Sequence, residues 1–203
     1  MSEATILEPN FAQPRPTFND VQLMSRRIGL NRVTLPAQPF GEFLGHLRQS
    51  HDQGGAHLAA FDVGPDLTFD WFASRNRLSD EDLIDSLIIQ PAIRAAFHDL
   101  AIPELKVRTG LVLGDSFQLD GRFAHALHYG GAYWSPKENG RYAKTLALEV
   151  CDAMFGLRYG EIAVAESSEA WTPWFHGVAW DLTEVVFDRR FRKLWIFAMT
   201  DTD

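Results

Sequence analysis

One cysteine, Cys151, is all the thiol this chain carries. A disulfide within the chain is therefore impossible, a zinc site built from several cysteines is excluded, and an oxidising compartment is not implied. No run approaches the roughly 18 apolar residues that a membrane crossing needs. The opening MSEATILEPNFAQPRP has neither a basic start nor an apolar stretch behind it, which reads as no secretion signal and a cytoplasmic location. Positive charge is scarce: 19 Lys and Arg stand against 27 Asp and Glu, a formal charge of −8. Arg26 with Arg27 and Arg189 with Arg190 are the only paired arginines, and neither pair extends into a stripe. The expectation is no nucleic acid and no membrane among the partners.

Familiar chemical signatures are missing as well. There is no G-x-x-x-x-G-K-[ST], no G-x-G-x-x-G after a strand, no H-E-x-x-H and no calcium-loop pattern, so no cofactor and no metal are called for. No repeat period appears.

What the chain does have is bulk. Its 203 residues, 46% apolar and 23% charged, suit one core of ordinary soluble type, and 15 Phe with six Trp can fill it without staples. Residues 1–18 hold Pro9, Pro14 and Pro16 and read as an extended arm; 19–203 read as a single domain. Asn19 is placed to cap a short helix carrying Val21, Met24 and Ile28 on one face. A second helix is predicted over 39–51, with Phe40, Phe43, Leu44 and Leu47 as its stripe.

The alternation in HLAAFDV and LTFDWFA, joined by GPD, predicts a hairpin over 57–73, with Phe61 facing Phe69. Ser79, the acidic turn Asp80-Glu81-Asp82 and then Pro91 mark helices over 80–101, with His98 in the last turn. Leu105, Val107, Leu111 and Leu113 alternate with polar residues, and Asp120-Gly121 is the strongest short hairpin signal. A hairpin over 105–129 follows, with RFAHALHY as its return strand. A helix over 140–155 has Ala143, Leu146, Ala147, Val150 and Met154 inward and Gly156 as its stop. The remainder, 159–200, reads as strands, the last two joined around Asp188-Arg189-Arg190. The fold class is α+β: an antiparallel sheet built from hairpins at 57–73, 105–129 and 159–200, with helices packed on it.

The strand reading governs what HALHYGG (125–131) can do. On a strand His125 and His128 point to opposite faces and cannot share a metal. The hairpin register sets Asp115 diagonal to His128 and Ser116 opposite His125. The first pair could orient an imidazole for base work and the second could activate a hydroxyl, although each also reads as a mutually satisfied polar pair.

The second unusual stretch, ESSEAWTPWFHGVAWD (166–181), crowds Trp171, Trp174, Phe175, His176 and Trp180 around Pro173. These are anchor residues for a binding loop, or rings that cap the open end of a sheet. In the closing hairpin Glu184 is expected opposite Trp195, with Lys193 diagonal to it. Asp181 is expected opposite Ala198 beside Thr183 and Thr200, as a functional carboxylate or one bonded to the threonines.

Two functional classes lead from this. The first is a binding or interaction protein, for a protein partner or a small ligand, with an immunity- or inhibitor-like role consistent with the acidic balance. The second is a small-molecule enzyme with a convergent site drawn from His128, Asp115, His125 and Asp181. A third, a structural subunit of an assembly, depends on an oligomeric state that the sequence leaves open. In either of the first two, a small-molecule site is expected between 171–181 and the 122–129 segment.

Overall fold

The computed structural model describes residues 4–133 and 139–202. It is α+β, with one sheet of six antiparallel strands among these residues. The strands are β1 (Leu30–Val33), β2 (Gly55–Val63), β3 (Val112–Leu113), β4 (Ile162–Ser167), β5 (Leu182–Asp188) and β6 (Lys193–Thr200), in the order β1-β2-β6-β5-β4-β3. Seven α-helices accompany them: α1 (Phe18–Arg27), α2 (Phe40–Ser50), α3 (Leu67–Ala73), α4 (Leu83–Ile88), α5 (Pro91–Ala96), α6 (Ser116–Tyr129) and α7 (Gly140–Phe155).

Both faces of the sheet are covered, so its central strands are apolar on both sides. One face presents Phe61, Val185, Phe187 and Ile196 to α1, α3, α4 and α5 and to Trp171 and Phe175. The other presents Leu58, Val164, Val186, Trp195 and Phe197 to α2, α6 and α7. The burial pattern of β6, fully buried from Leu194 to Thr200, records this double cover.

The helices over 39–51 and 140–155 form where the apolar spacing puts them, as α2 and α7, the latter ended by Gly156 at φ 60°. Over 80–101 the helical signal is realised as α4 and α5 with 3-10 turns at 80–82 and 98–100. α1 begins one residue ahead of the expected cap. Thr17 and Asp20 form a reciprocal capping box there, and Asn19 lies inside the helix.

Two predicted hairpins are corrected. In 57–73 only the first half is a strand; 67–73 is α3. Asp66 caps it by accepting Thr68 N at 2.8 Å and Phe69 N at 3.3 Å, so Gly-Pro-Asp is a helix start and not a turn. Phe61 and Phe69 share a core without facing each other across a ladder. In 105–129 the outgoing strand shrinks to β3, and 116–129 is α6, with Asp115 accepting Phe117 N at 2.9 Å as its cap. Asp120 and Gly121 lie in the middle of that helix. The spacing of Leu119, Phe123, Ala126 and Leu127 is helical, and these side chains pack on the sheet.

The closing hairpin stands, two residues out of the expected register. Asp188 pairs with Lys193, leaving a four-residue loop, so Val186 faces Trp195 and Glu184 faces Phe197. Asp188 Oδ1 shapes that loop by accepting the N–H groups of Arg190 and Phe191.

Candidate functional site

The histidines of HALHYGG lie on the last two turns of α6, not on a strand. Asp115 and Ser116 are at its opposite end, about 20 and 13 Å away along the axis at ~1.5 Å per residue. The Asp115–His128 and Ser116–His125 pairs are therefore corrected. Asp115 serves the helix cap, and Ser116 Oγ donates to the Tyr159 carbonyl at 2.9 Å. Tyr129 sits against both imidazoles, its ring centroid 4.5 Å from that of His125 and 4.9 Å from that of His128. Among the described residues no group of three or more His, Cys, Asp or Glu is gathered as metal ligands would be.

The two glycines that close the motif have different duties. Gly130 ends α6 at φ 66°, a conformation costly for other residues. Gly131 is pressed against the C-terminal strand: a Cβ there would stand 2.0 Å from Asp201 Oδ2 and 2.4 Å from the Ser50 carbonyl. Asp201, fully buried, also accepts Ala132 N at 2.7 Å and Gln53 N at 3.2 Å, so it ties the exit of α6 to the loop after α2.

Beside α6 runs a cleft of about 680 Å³. One wall is the outward stripe of the helix, including Gln118, Arg122, His125, Ala126 and Tyr129. The other is Ala179, Trp180, Asp181 and Leu182, with Met199 from β6. The stripe recurs at three and four residues along nearly the whole helix, which makes the cleft long and shallow. Most of its lining is carbon.

The aromatic segment divides between the two sides of the sheet. Trp180 lines the cleft. Trp171 and Phe175 are buried in the opposite core, where the Trp171 indole N–H donates to Thr183 Oγ1 at 2.8 Å. Trp174 packs there too, its ring 5.3 Å from His57 and 4.9 Å from Phe175. His176 is exposed and lines none of the cleft. Asp181 is almost wholly buried and organises the loop: it accepts Gly177 N at 2.6 Å, Val178 N at 3.3 Å and Thr200 Oγ1 at 2.5 Å. It is placed beside Leu182, which pairs with Met199, and not opposite Ala198, which faces Thr183.

At the inner end of the cleft lies a charged group that sequence reasoning missed. Glu166 and Glu184 face each other across β4 and β5 on the side that α6 covers. Arg122 reaches down from α6 and holds both. Its Nε and Nη2 engage the two Glu184 carboxylate oxygens, the second at 3.2 Å, and its Nη1 lies 2.8 Å from Glu166 Oε2. Burial pushes the Glu184 carboxyl up to about 7, against the opposing pull of the Arg122 guanidinium. No local signal connects positions 122, 166 and 184. Glu184 within a largely apolar strand is the one visible sign, and the expected register sets it diagonal to Lys193, which instead lies 3.8 Å from Asp62.

The lone Cys151 is on the buried face of α7, and burial pushes its thiol far above the ordinary value, so it stays protonated. No helix among the described residues is long and apolar enough to cross a membrane.

Compared with protein-family models, curated proteins and solved structures, the chain matches none.

Proposed function

We propose that this is a binding protein for a small, largely apolar molecule, held in the cleft between α6 and residues 179–182. The observation that carries this reading is the lining. A single long cleft brings Trp180, Tyr129, Met199 and Leu182 together with a few polar points, Gln118 and His125 among them. Flat aromatic walls supply contact area at small entropic cost, and the polar groups fix orientation. The charge of the wall narrows the ligand further. Its one guanidinium, Arg122, is already shared between Glu166 and Glu184, so the cleft favours neutral or cationic molecules over anions.

Two of the pairings behind an enzyme reading fall away, since Asp115 and Ser116 lie far along α6 from His128 and His125, while His125 and Asp181 still line one cleft.

The test is titration with Nile red, a neutral apolar dye whose emission reports transfer out of water. Saturable one-to-one binding is expected, weakened at least tenfold by His125→Trp, at an exposed position on the helix side of the cleft. Binding that His125→Trp leaves unchanged overturns the assignment.

A further inference from the structure

Away from the cleft, three groups of different chemistry converge on one oxygen atom. Glu42 and His46 stand four residues apart on α2, which sets them on the same face of that helix. Their face borders the buried stripe of Phe40, Phe43 and Leu47, so both side chains are half-buried at the seam with α7. Tyr142, in the first turn of α7, meets them there. Its hydroxyl donates to Glu42 Oε1 at 2.6 Å and lies 2.7 Å from His46 Nε2. The tyrosine and histidine rings stand edge to face, their centroids 5.3 Å apart. Asn139 caps α7 by accepting Tyr142 N at 2.9 Å, which fixes the turn that carries the phenol. None of the three residues lines the cleft beside α6.

A carboxylate oxygen, an imidazole nitrogen and a phenol oxygen at these separations make a donor set for a metal ion. Two of the three are of the His, Cys, Asp and Glu types, and the phenol completes the set. Ligand atoms bound at about 2.0–2.2 Å stand roughly 3.0–3.5 Å from one another, so each contact has to widen by less than about 1 Å. Half-buried side chains at a helix seam supply that by rotation. The flank of the cluster is open as well. Gly41 and Gly45 each precede one of the two α2 ligands, and a Cβ at either would meet nothing within 4 Å.

The charges choose the ion. A carboxylate and a phenolate together neutralise one divalent cation, and an imidazole ligand disfavours magnesium and calcium, which take oxygen. We propose that Glu42, His46 and Tyr142 form a binding site for a divalent late transition-metal ion, with copper(II) the best fit. On binding, the phenol loses its proton to solvent and its oxygen takes the metal instead. The neutral imidazole carries its own proton on Nδ1 and coordinates through Nε2. The ion then ties α2 to α7 across their seam, independently of any ligand in the cleft.

Copper(II) alone is the probe, added to the full chain and followed by equilibrium dialysis and visible absorption. A phenolate-to-copper charge-transfer band is expected, growing to saturation at one such site per chain. It should vanish in Tyr142→Phe, which removes only the hydroxyl. Copper held by histidines elsewhere gives no such band, and the Cys151 thiol is buried away from the ion. Glu42→Gln and His46→Gln should each weaken the band-forming site at least tenfold, and magnesium in large excess should leave the band in place. Each of four results overturns the proposal: no band at saturating copper, a band that survives Tyr142→Phe, full affinity in either Glu42→Gln or His46→Gln, or loss of the band to magnesium.

Discussion

Arg122, on α6, grips both carboxylate oxygens of Glu184, a side chain with no exposure in the middle of β5. A helix is thereby fastened to the sheet by a charge pair at the inner end of an apolar cleft. Removing one partner of such a pair costs far more than the pair contributes, because the survivor is left charged and dry. Arg122→Ala is expected to lose about 3–5 kcal/mol in urea denaturation at pH 8. The loss should be smaller at pH 5, where Glu184 is protonated and no bare charge remains. Equal losses at the two pH values would show that the substitution acts through packing alone.

The same carboxyl sets a pH dependence in the intact protein. Its folded value of about 7 lies above the ordinary 4.5. Between those values the folded protein keeps a proton that the unfolded chain gives up. This group's contribution to stability is therefore fully present below about pH 4.5, declines as pH rises, and levels off above about 7. Glu184→Gln, which cannot titrate, should flatten that part of the stability–pH curve. An unaltered slope would mean that Glu184 does not carry the proton.

Trp180 and Trp174, six residues apart, should respond oppositely to truncation. Trp180→Ala is expected to weaken Nile red binding at least tenfold with little change in melting temperature, since the ring lines the cleft. Trp174→Ala should cost on the order of 3 kcal/mol, because its ring closes the opposite core against His57 and Phe175. It should leave dye binding intact. The reverse result would favour the binding-loop reading of Trp174 over that of a ring capping the sheet.

Gly131 tests how tightly the end of α6 is fixed. A methyl group at that position meets Asp201 and the Ser50 carbonyl at distances no real contact reaches. Gly131→Ala is expected to destabilise by about 1–3 kcal/mol, the usual range for overpacking. Gly121→Ala, inside α6, has only Lys144 Nζ at 3.8 Å in the way and should stabilise by up to about 1 kcal/mol. A pair of thermal melts separates the two.

Asp115→Ala should remove about 1 kcal/mol through loss of the α6 cap, with dye binding unaffected. A substantial fall in affinity without loss of stability would instead show that Asp115 acts on the ligand.

The sequence by itself determined the α+β class, the helices α2 and α7 and the stop at Gly156. In each of these the apolar period and the capping residues agree, and nothing distant is needed to choose. It misjudged 67–73 and 116–129, where Gly-Pro-Asp and Asp-Gly carry turn chemistry that also suits a helix start or, for glycine, a tolerated helix interior. The choice there was made by tertiary packing: Phe69 and Phe72, and Leu119 and Phe123, are buried only when presented from one face of a helix. Tertiary structure alone also decided the site. Positions 122, 166 and 184 are linked by no local pattern, and whether Trp174 or Trp180 meets the cleft depends on which side of the sheet the chain passes. That is settled by how the loop closes on Asp181, a hydrogen-bonding arrangement that no periodicity in the sequence records.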